Sequence, residues 1–255
     1  MCLIVFAWRP SHAQPLILAA NRDEFHARPT APLAQWEDAP DVYAGRDLEA
    51  GGTWMGVTRQ GRFAALTNIR DPDQPLGPRS RGELVARFLT GAAPIEQYLD
   101  QVATDAHEYA GFNLLLGDGQ RLFHFNSRHA VAKRLEEGVY GISNANLDTP
   151  WPKLLRARSA LEHRLHTPEP TDLLDVLSDP SPAPVAELPN TGVGLATEQL
   201  LSSIFIASAN YGTRASTALI VHANGRQQLV ERSFGPHGGH LGEVELTLEK
   251  PTGRE

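Results

Sequence analysis

Two apolar segments near the start of the chain most constrain its fold. Residues 2–8 are apolar throughout, and residues 16–22 begin with five apolar residues. Apolar runs of this length and composition predict strands that are buried on both faces. Residues 9–15 between them are interpreted as a loop. Such a pair of strands requires a layered structure, with other elements packed on each side of its sheet.

Three turn signals predict hairpins farther along the chain. Gln60-Gly61, Asp118-Gly119 and Asn224-Gly225 each lie between two segments of strand-like composition, a pattern typical of tight antiparallel connections. The paired strands are predicted at residues 53–58 and 62–68, 112–117 and 121–126, and 215–221 and 227–233. Single strands are predicted at residues 139–143, 203–207 and 241–248.

Helices are predicted in the middle of the chain. Ser80 and Glu83 have the spacing of a capping box, which favours a helix over residues 80–91. Further helices are predicted at residues 94–106 and 151–166, and the proline-rich residues 179–194 are interpreted as an exposed connection. Hairpins outnumber alternating units, so the class is α+β with two stacked antiparallel sheets and helices outside. We expect a single domain over residues 1–255.

Charge and cysteine content exclude several classes of protein. The chain has 30 acidic and 23 Lys and Arg residues, a formal charge of −7, which disfavours a nucleic-acid partner. One cysteine, Cys2, rules out an intrachain disulfide and an all-thiolate metal site. No targeting segment or membrane span is predicted, so we expect a cytoplasmic location and a reduced thiol.

The register of the first hairpin gives the lone cysteine a predicted neighbour. If residue 8 opposes residue 16, then Cys2 opposes Arg22, with their side chains on one face of the sheet. Glu24 shares that face, and Asn21 and Asp23 point the other way. A register slip of one residue would place Asp23 beside Cys2 instead.

This placement suggests a nucleophile. Removal of Met1 would leave Cys2 with a free α-amine, which is partly unprotonated at neutral pH and can act as base for its own thiol. Arg22 would favour the thiolate, and Asp23 or Glu24 could hold the amine. The competing interpretations are structural: Cys2 as a small apolar core residue, and residues 21–24 as a solvated loop.

Several sequence blocks together resemble a known family. The blocks are Met1-Cys2-Leu3-Ile4, Asn21-Arg22-Asp23-Glu24, Gly51-Gly52-Thr53-Trp54-Met55-Gly56, Leu66-Thr67-Asn68-Ile69-Arg70, Ser80-Arg81-Gly82-Glu83-Leu84, Gly111-Phe112-Asn113-Leu114, Ser143-Asn144 and Tyr211-Gly212-Thr213-Arg214-Ala215-Ser216-Thr217. In this order they resemble the NRDE-motif family, which includes the transport and Golgi organisation proteins. That family is similar to the N-terminal-nucleophile hydrolases. The resemblance implies a four-layer αββα sandwich, which agrees with the two stacked sheets.

Within that superfamily the chain is similar to the penicillin V acylase and bile-salt hydrolase group of cysteine amidases. The resemblance implies Cys2 as nucleophile, Arg22 as thiolate partner, Asp23 as the acid that orients the amine, Asn144 as oxyanion donor and Arg214 as a distal arginine. The amidases separate their Arg and Asp by two residues, whereas Arg22 and Asp23 are adjacent. Glu24 is therefore an alternative acid, and Asn68 an alternative oxyanion donor.

Two functions follow from this comparison. The first is a cysteine-dependent amidohydrolase or thioesterase that acts on a small linear amide or acyl-thioester and requires no cofactor. The second is a non-catalytic protein on the same fold that binds or traffics haem or an acyl lipid. His237 and His240 are the candidate haem ligands, since haem iron is commonly held by histidine.

Overall fold

The computed structural model describes residues 2–74 and 77–250, whose strands form two antiparallel sheets. The first sheet contains β1 (Cys2–Trp8), β2 (Leu16–Phe25), β10 (Gly138–Ile142), β11 (Tyr211–Val221), β12 (Gln227–Phe234) and β13 (His240–Leu248). Its strand order is β10-β1-β2-β11-β12-β13. The N-terminal hairpin therefore lies inside the sheet, with a paired strand on each side, as its apolar composition predicts.

The second sheet is a meander in which strands adjacent in sequence pair with one another. It contains β3 (Thr30–Gln35), β4 (Val42–Asp47), β5 (Met55–Thr58), β6 (Phe63–Asn68), β7 (Phe112–Gly117), β8 (Leu122–Asn126) and β9 (Val131–Arg134), in that spatial order. The hairpins predicted at residues 60–61, 118–119 and 224–225 are confirmed by the pairing of β5 with β6, β7 with β8, and β11 with β12.

The described residues also form five α-helices. They are α1 (Gly82–Thr90), α2 (Ile95–Asp105), α3 (Pro152–Glu162), α4 (Pro170–Asp175) and α5 (Leu195–Leu201), with short 3-10 helices at Ala106–Glu108, Val185–Glu187 and Pro236–Gly238. None of the helices in the described ranges is long and apolar enough to cross a membrane.

Three buried clusters show the layering. One lies between the sheets and joins Ile4 and Phe6 of β1 to Leu115 of β7. A second packs α1 and α2 on the outer face of the second sheet. A third packs α3 and α4 on the outer face of the first. The order helix, sheet, sheet, helix confirms the four-layer α+β sandwich.

Some predicted elements are wrong in detail. Ser80 is not a side-chain cap: α1 begins at Gly82 without one, the Glu83 N–H donates to the backbone oxygen of Ser80, and the Glu83 carboxylate contacts Arg79. Residues 203–207 are not a strand, since their backbone and hydroxyl groups bond to the neighbouring loop, as in Phe205 N–H to Asp179 O at 2.9 Å. The helix predicted at 151–166 ends at Glu162.

Other elements were not predicted. They are β3, β4, β9, α4 and α5. Strand β3 includes a proline and buries only one of its six residues, and β9 is exposed along its whole length, so neither carries the apolar signal of a buried strand. Strand β2 extends to Phe25. Residues 21–24 therefore continue a strand, and the solvated-loop interpretation is wrong.

Candidate active site

The register of the first hairpin is the one that the sequence predicts. Trp8 pairs with Leu16, and Cys2 pairs with Arg22. Alternate residues of both strands, Ile4 and Ala20 among them, lie in the core between the sheets. Because side chains alternate along a strand, Cys2 and Arg22 face the same inter-sheet layer.

Asn21 and Asp23 point to the opposite face, as predicted. Asn21 Nδ2 donates to the carbonyl oxygens of Leu177 and Ile204 at 3.0 and 2.9 Å, and its Oδ1 accepts from Ser216 Oγ at 2.6 Å. Both hydrogen-bonding ends of this buried amide are thus used to attach β2 to its neighbours. Asn21 has a structural role, distinct from that of the residues that follow it.

A cavity of about 310 Å³ opens where Cys2 lies. Cys2, Arg22, Asp23, Glu24 and Asn68 all line it. The structure therefore brings together five of the seven predicted site residues, which come from β1, β2 and the end of β6. The walls also include the segment that leads into α1.

The Cys2 thiol is less acidic than Arg22 alone would make it. Cys2 is 8% exposed. Burial raises the pKa of the thiol, Asp23 raises it further, and the lowering influence of Arg22 does not overcome them. Arg22 lowers the pKa of the thiol, the direction that the sequence predicts, but desolvation is the larger influence and the net shift is upward. A base is needed to remove the proton.

Within residues 2–74 and 77–250, Arg22 is held by a hydroxyl group and an aromatic ring and forms no ion pair with a carboxylate. Its Nη1 donates to Thr30 Oγ1 at 3.2 Å, and its guanidinium lies 4.4 Å from the centre of the Trp54 ring. Stacking on an aromatic face fixes the orientation of a guanidinium and leaves its charge available to other groups.

Asp23 is buried beside a cation that sequence reasoning missed. Its Oδ1 accepts from Thr213 Oγ1 at 2.8 Å. Burial raises the pKa of Asp23, and Lys153 is the largest influence that opposes this shift. Lys153 is 1% exposed, and burial lowers its pKa to about 8. Its Nζ has no hydrogen-bond partner in the described part of the chain.

A signal for Lys153 was present in the sequence. Lys153, Ala157 and Leu161 are spaced four residues apart, and the last two lie in the apolar cluster under α3. Residues with this spacing share a helix face. A lysine on the buried face of a helix is rarely accommodated without a charged partner.

Arg70 and Glu198 form a second buried pair that was not predicted. The Arg70 guanidinium contacts the Glu198 carboxylate, and each side chain is 4% exposed. Arg70 also lies 4.6 Å from the centre of the Trp151 ring. Glu198 Oε1 accepts from Thr191 Oγ1 at 2.6 Å. The pair ties the end of β6 to the connection that precedes β11.

The two candidate oxyanion donors differ in their surroundings. Asn144 Nδ2 donates to the backbone oxygen of Asn68 at 2.9 Å, so this amide is occupied within the protein. Asn144 is 1% exposed and is not among the residues that border the cavity. Asn68 borders the cavity and is partly exposed.

Three predicted residues lie elsewhere. Arg214 Nη1 donates to the backbone oxygens of Phe25 and Arg28 at 2.9 and 3.0 Å, so Arg214 holds the turn after β2 and borders a neighbouring cavity. His237 lies in a 3-10 helix, and His240 begins β13 with its ring 6.1 Å from that of Phe234. The described residues contain no group of three or more His, Cys, Asp and Glu side chains placed to hold a metal ion.

The sequence is similar to one family along most of its length. A family model described as Transport and Golgi organisation 2 matches residues 1–236. Transport and Golgi organization 2 homolog of Mus musculus is 36% identical over 261 residues, which cover 92% of this chain and 93% of the mouse protein. The Drosophila melanogaster protein of that name is 28% identical over 273 residues, or 93% and 95% of the two chains.

Two solved structures of hydrolases have a similar fold. A Caenorhabditis elegans N-acylethanolamine-hydrolyzing acid amidase ortholog matches with a TM-score of 0.50 and 12% identity, over 86% of this chain and 92% of that one. A mutant of conjugated bile acid hydrolase from Clostridium perfringens matches with a TM-score of 0.53 and 7% identity, over 98% and 92%. At these identities the likeness concerns the fold, which is that of the N-terminal-nucleophile hydrolases.

Proposed function

The chain belongs to the Transport and Golgi organisation 2 family, and from the geometry around Cys2 we propose that it is an N-terminal cysteine hydrolase of small amides or acyl-thioesters. The observation that carries the proposal is the register that pairs Cys2 with Arg22 at a cavity of about 310 Å³. A fold alone does not imply an activity, whereas this arrangement puts a thiol next to a guanidinium at a cavity that could admit a substrate.

Activation of the thiol requires the amine of the same residue. Met1 lies outside the described residues, and its removal is part of the proposal. The freed α-amine has a pKa near 8 and would take the thiol proton at neutral pH. Since burial raises the pKa of Cys2, an internal base is more useful here than a resting thiolate.

The proposed reaction has two steps, acylation of Cys2 and hydrolysis of the acyl-enzyme. The Cys2 sulfur attacks the acyl carbon, the carbon–nitrogen or carbon–sulfur bond breaks, and the protonated amine passes its proton to the leaving group. Water, deprotonated by the same amine, attacks the acyl–cysteine thioester, and the carboxylic acid leaves as the thiol is restored. Both steps pass through an oxyanion, which a positioned donor stabilises by about 3 kcal/mol.

Each surrounding side chain has a role in the proposal. Asn68 is the favoured oxyanion donor because it borders the cavity, whereas the Asn144 amide is engaged in holding the Asn68 backbone. Asp23 orients the amine, with Lys153 favouring its ionised form. Glu24 lies at the cavity on the Arg22 face and is the alternative acid. Arg214 acts indirectly, through the turn after β2.

Intact mass and thiol labelling test this function. We expect purified protein to lack Met1 and to gain one adduct with iodoacetamide, because Cys2 is the only cysteine. Cys2→Ala should gain none. It should also lose hydrolysis of a panel of N-acyl amides and acyl-thioesters. An Asn68→Ala variant should retain labelling and lose about 100-fold in kcat.

The control for Asn68→Ala is Asn126→Ala, which removes a buried amide on the same sheet away from the cavity. Quantitative retention of Met1 would contradict the mechanism, since the amine would then belong to the wrong residue. A protein with an unreactive Cys2 and a saturable change in haem absorbance would favour the alternative, a haem or acyl-lipid binding protein.

A further inference from the structure

Four arginines line the Cys2 cavity, and two of them are neutralised. Arg28 Nη2 lies 2.7 Å from Asp47 Oδ2, and its Nη1 lies 3.0 Å from Glu49 Oε1. Arg79 contacts the carboxylate of Glu83. Since an ion pair largely cancels the field of each partner, these two arginines contribute little net charge to the cavity.

The other two, Arg22 and Arg81, have no such partner. Across residues 2–74 and 77–250, neither guanidinium forms an ion pair with a carboxylate. Arg22 donates to Thr30 Oγ1 at 3.2 Å, and Arg81 Nη1 donates to Gly111 O at 3.2 Å. A guanidinium has five N–H donors, so most donors of both side chains are available to a ligand.

Arg81 is placed to act on whatever binds at Cys2. It is partly buried and borders the cavity. Burial lowers the pKa of Arg81, while Cys2 and Glu24 raise it, which places the guanidinium within electrostatic reach of the thiol. The Glu24 carboxylate accepts the Phe25 N–H at 2.8 Å and pairs with neither free arginine. A partly desolvated cation without a counter-charge is costly unless a ligand supplies one.

The start of α1 adds to the positive field. Arg81 directly precedes this nine-residue helix, and Gly82, its first residue, also borders the cavity. The Glu83 and Leu84 N–H groups donate to Ser80 O and Arg81 O, and the dipole of the helix favours anions at this end. The two guanidiniums and the helix start thus act in the same direction.

We propose that Arg81, together with Arg22 and the start of α1, forms a subsite that binds a carboxylate or phosphate group of the substrate. This subsite selects amides or thioesters that carry such a group close to the scissile carbonyl. This inference rests on the proposed function and names its substrate class. Arg81 is the specificity-determining residue of the subsite, because Arg22 is already assigned to Cys2.

Paired alkylating reagents test the subsite without knowledge of the natural substrate. Iodoacetate and iodoacetamide both form a bond from the Cys2 sulfur to carbon and release iodide, and they differ chiefly in charge. The ratio of their rate constants is independent of the thiol pKa, because both consume the same thiolate. We expect the iodoacetate rate constant divided by the iodoacetamide rate constant to be about tenfold larger for the protein than for free cysteine. One charge-assisted hydrogen bond can give an effect of this size.

Arg81→Gln should remove most of this preference and bring the ratio close to that of free cysteine, with Arg22 and the start of α1 left in place. Arg79→Gln is the matched control, since Arg79 borders the same cavity and is neutralised by Glu83, and its ratio should equal that of the wild type. Arg81→Lys keeps the positive charge but loses the planar, multi-donor guanidinium group, so it should retain part of the preference for iodoacetate. Protection of Cys2 by inorganic phosphate or by acetate then distinguishes a phosphate from a carboxylate ligand.

The outcomes separate the two proposals. If neither reagent alkylates Cys2, the proposed function fails. If both do so and the wild-type ratio equals that of free cysteine, the subsite is refuted while the nucleophile stands. An equal loss of selectivity in the Arg79 and Arg81 variants would also refute it, because a diffuse positive field would then explain the preference.

Discussion

Lys153 and Cys2 show how burial changes the chemistry of single residues. Both are almost inaccessible, and desolvation is the largest cause of the pKa shift of each. Burial disfavours the charged form, so it raises the pKa of the thiol and lowers that of the ammonium. The shift of Lys153 moves its pKa toward neutral pH, whereas the shift of Cys2 moves its pKa farther from neutral pH, so the thiol needs a base to lose its proton.

The lowered pKa of Lys153 predicts a pH-dependent stability. The folded chain binds the lysine proton with a pKa of about 8, against 10.5 for the ordinary lysine. The unfolded chain binds more protons between these values, so the contribution of Lys153 to stability rises with pH across this window. The penalty for burying the charge is full below pH 8 and amounts to about 3 kcal/mol.

Urea unfolding at pH 7.5 and 9.5 measures this effect. We expect Lys153→Met, in a Cys2→Ala background that removes the thiol titration, to lose the rise in unfolding free energy seen with its Lys153 parent. Lys133→Met is the control, because Lys133 lies on the exposed strand β9 and should keep the parental slope. Equal slopes in parent and Lys153→Met would show that the lysine has an ordinary pKa.

Two features define the cavity: strand β2, and the contact between the loop at Gly52 and the start of α1 at Gly82. The alternation of β2 sends Arg22 toward the second sheet and Asp23 toward the outer layer, where Thr213 of β11 holds it. On the far wall, Gly52 and Gly82 let two backbone segments touch. Thr53 N–H donates to Gly82 O at 3.1 Å across this contact. The two glycines are thus conformational requirements of the cavity wall.

Gly52→Ala should open this wall. A Cβ at residue 52 would lie 2.5 Å from Gly82 C and 2.6 Å from Gly82 O, which are backbone atoms that cannot rotate away. We expect a loss of about 2 kcal/mol in unfolding free energy from overpacking. Because α1 must shift, the preference of Cys2 for iodoacetate should also fall.

Gly239→Ala is the matched substitution. Its Cβ would meet Pro236 O at 3.4 Å, an ordinary contact, and Gly239 has a φ of −60°. Its stability should lie within about 0.5 kcal/mol of the wild type. A Gly52→Ala protein as stable as this control, with unchanged alkylation ratio, would show that the loop and α1 are not held in contact.

The whole molecule is organised around β1, which belongs to two cores. Its even-numbered residues, such as Phe6, lie between the sheets, and its odd-numbered residues, such as Val5, lie under the helices of the outer layer. Sharing one strand between two cores couples the layers. We therefore expect a single cooperative unfolding unit, as the sequence predicts for one domain.

Coincident unfolding transitions check this expectation. Leu115 of β7 is 1% exposed and lies in the inter-sheet cluster. Leu115→Ala should cost about 2–5 kcal/mol and shift the tryptophan-fluorescence and circular-dichroism transitions in urea equally. Leu155→Ala, at a residue that is 40% exposed, should shift neither. Two separate transitions would instead show that the sheets unfold independently.

The sequence by itself determined the first hairpin, the layer order and the neighbour of Cys2. These follow from local rules: apolar runs identify buried strands, and the two-residue period of a strand converts one register into a set of facing side chains. The resemblance of ordered motifs supplied the family. Strands such as β3 and β9 escaped prediction because they lack an apolar face.

Only the tertiary structure decided which distant groups surround the thiol. Lys153 on α3 and Arg81 at the start of α1 reach the surroundings of Cys2 from helices that pack on different sheets. The sign of the Cys2 pKa shift was likewise decided there, because desolvation depends on the atoms that cover the thiol. Sequence spacing fixes neighbours within a strand pair, whereas burial and net field depend on the assembled layers.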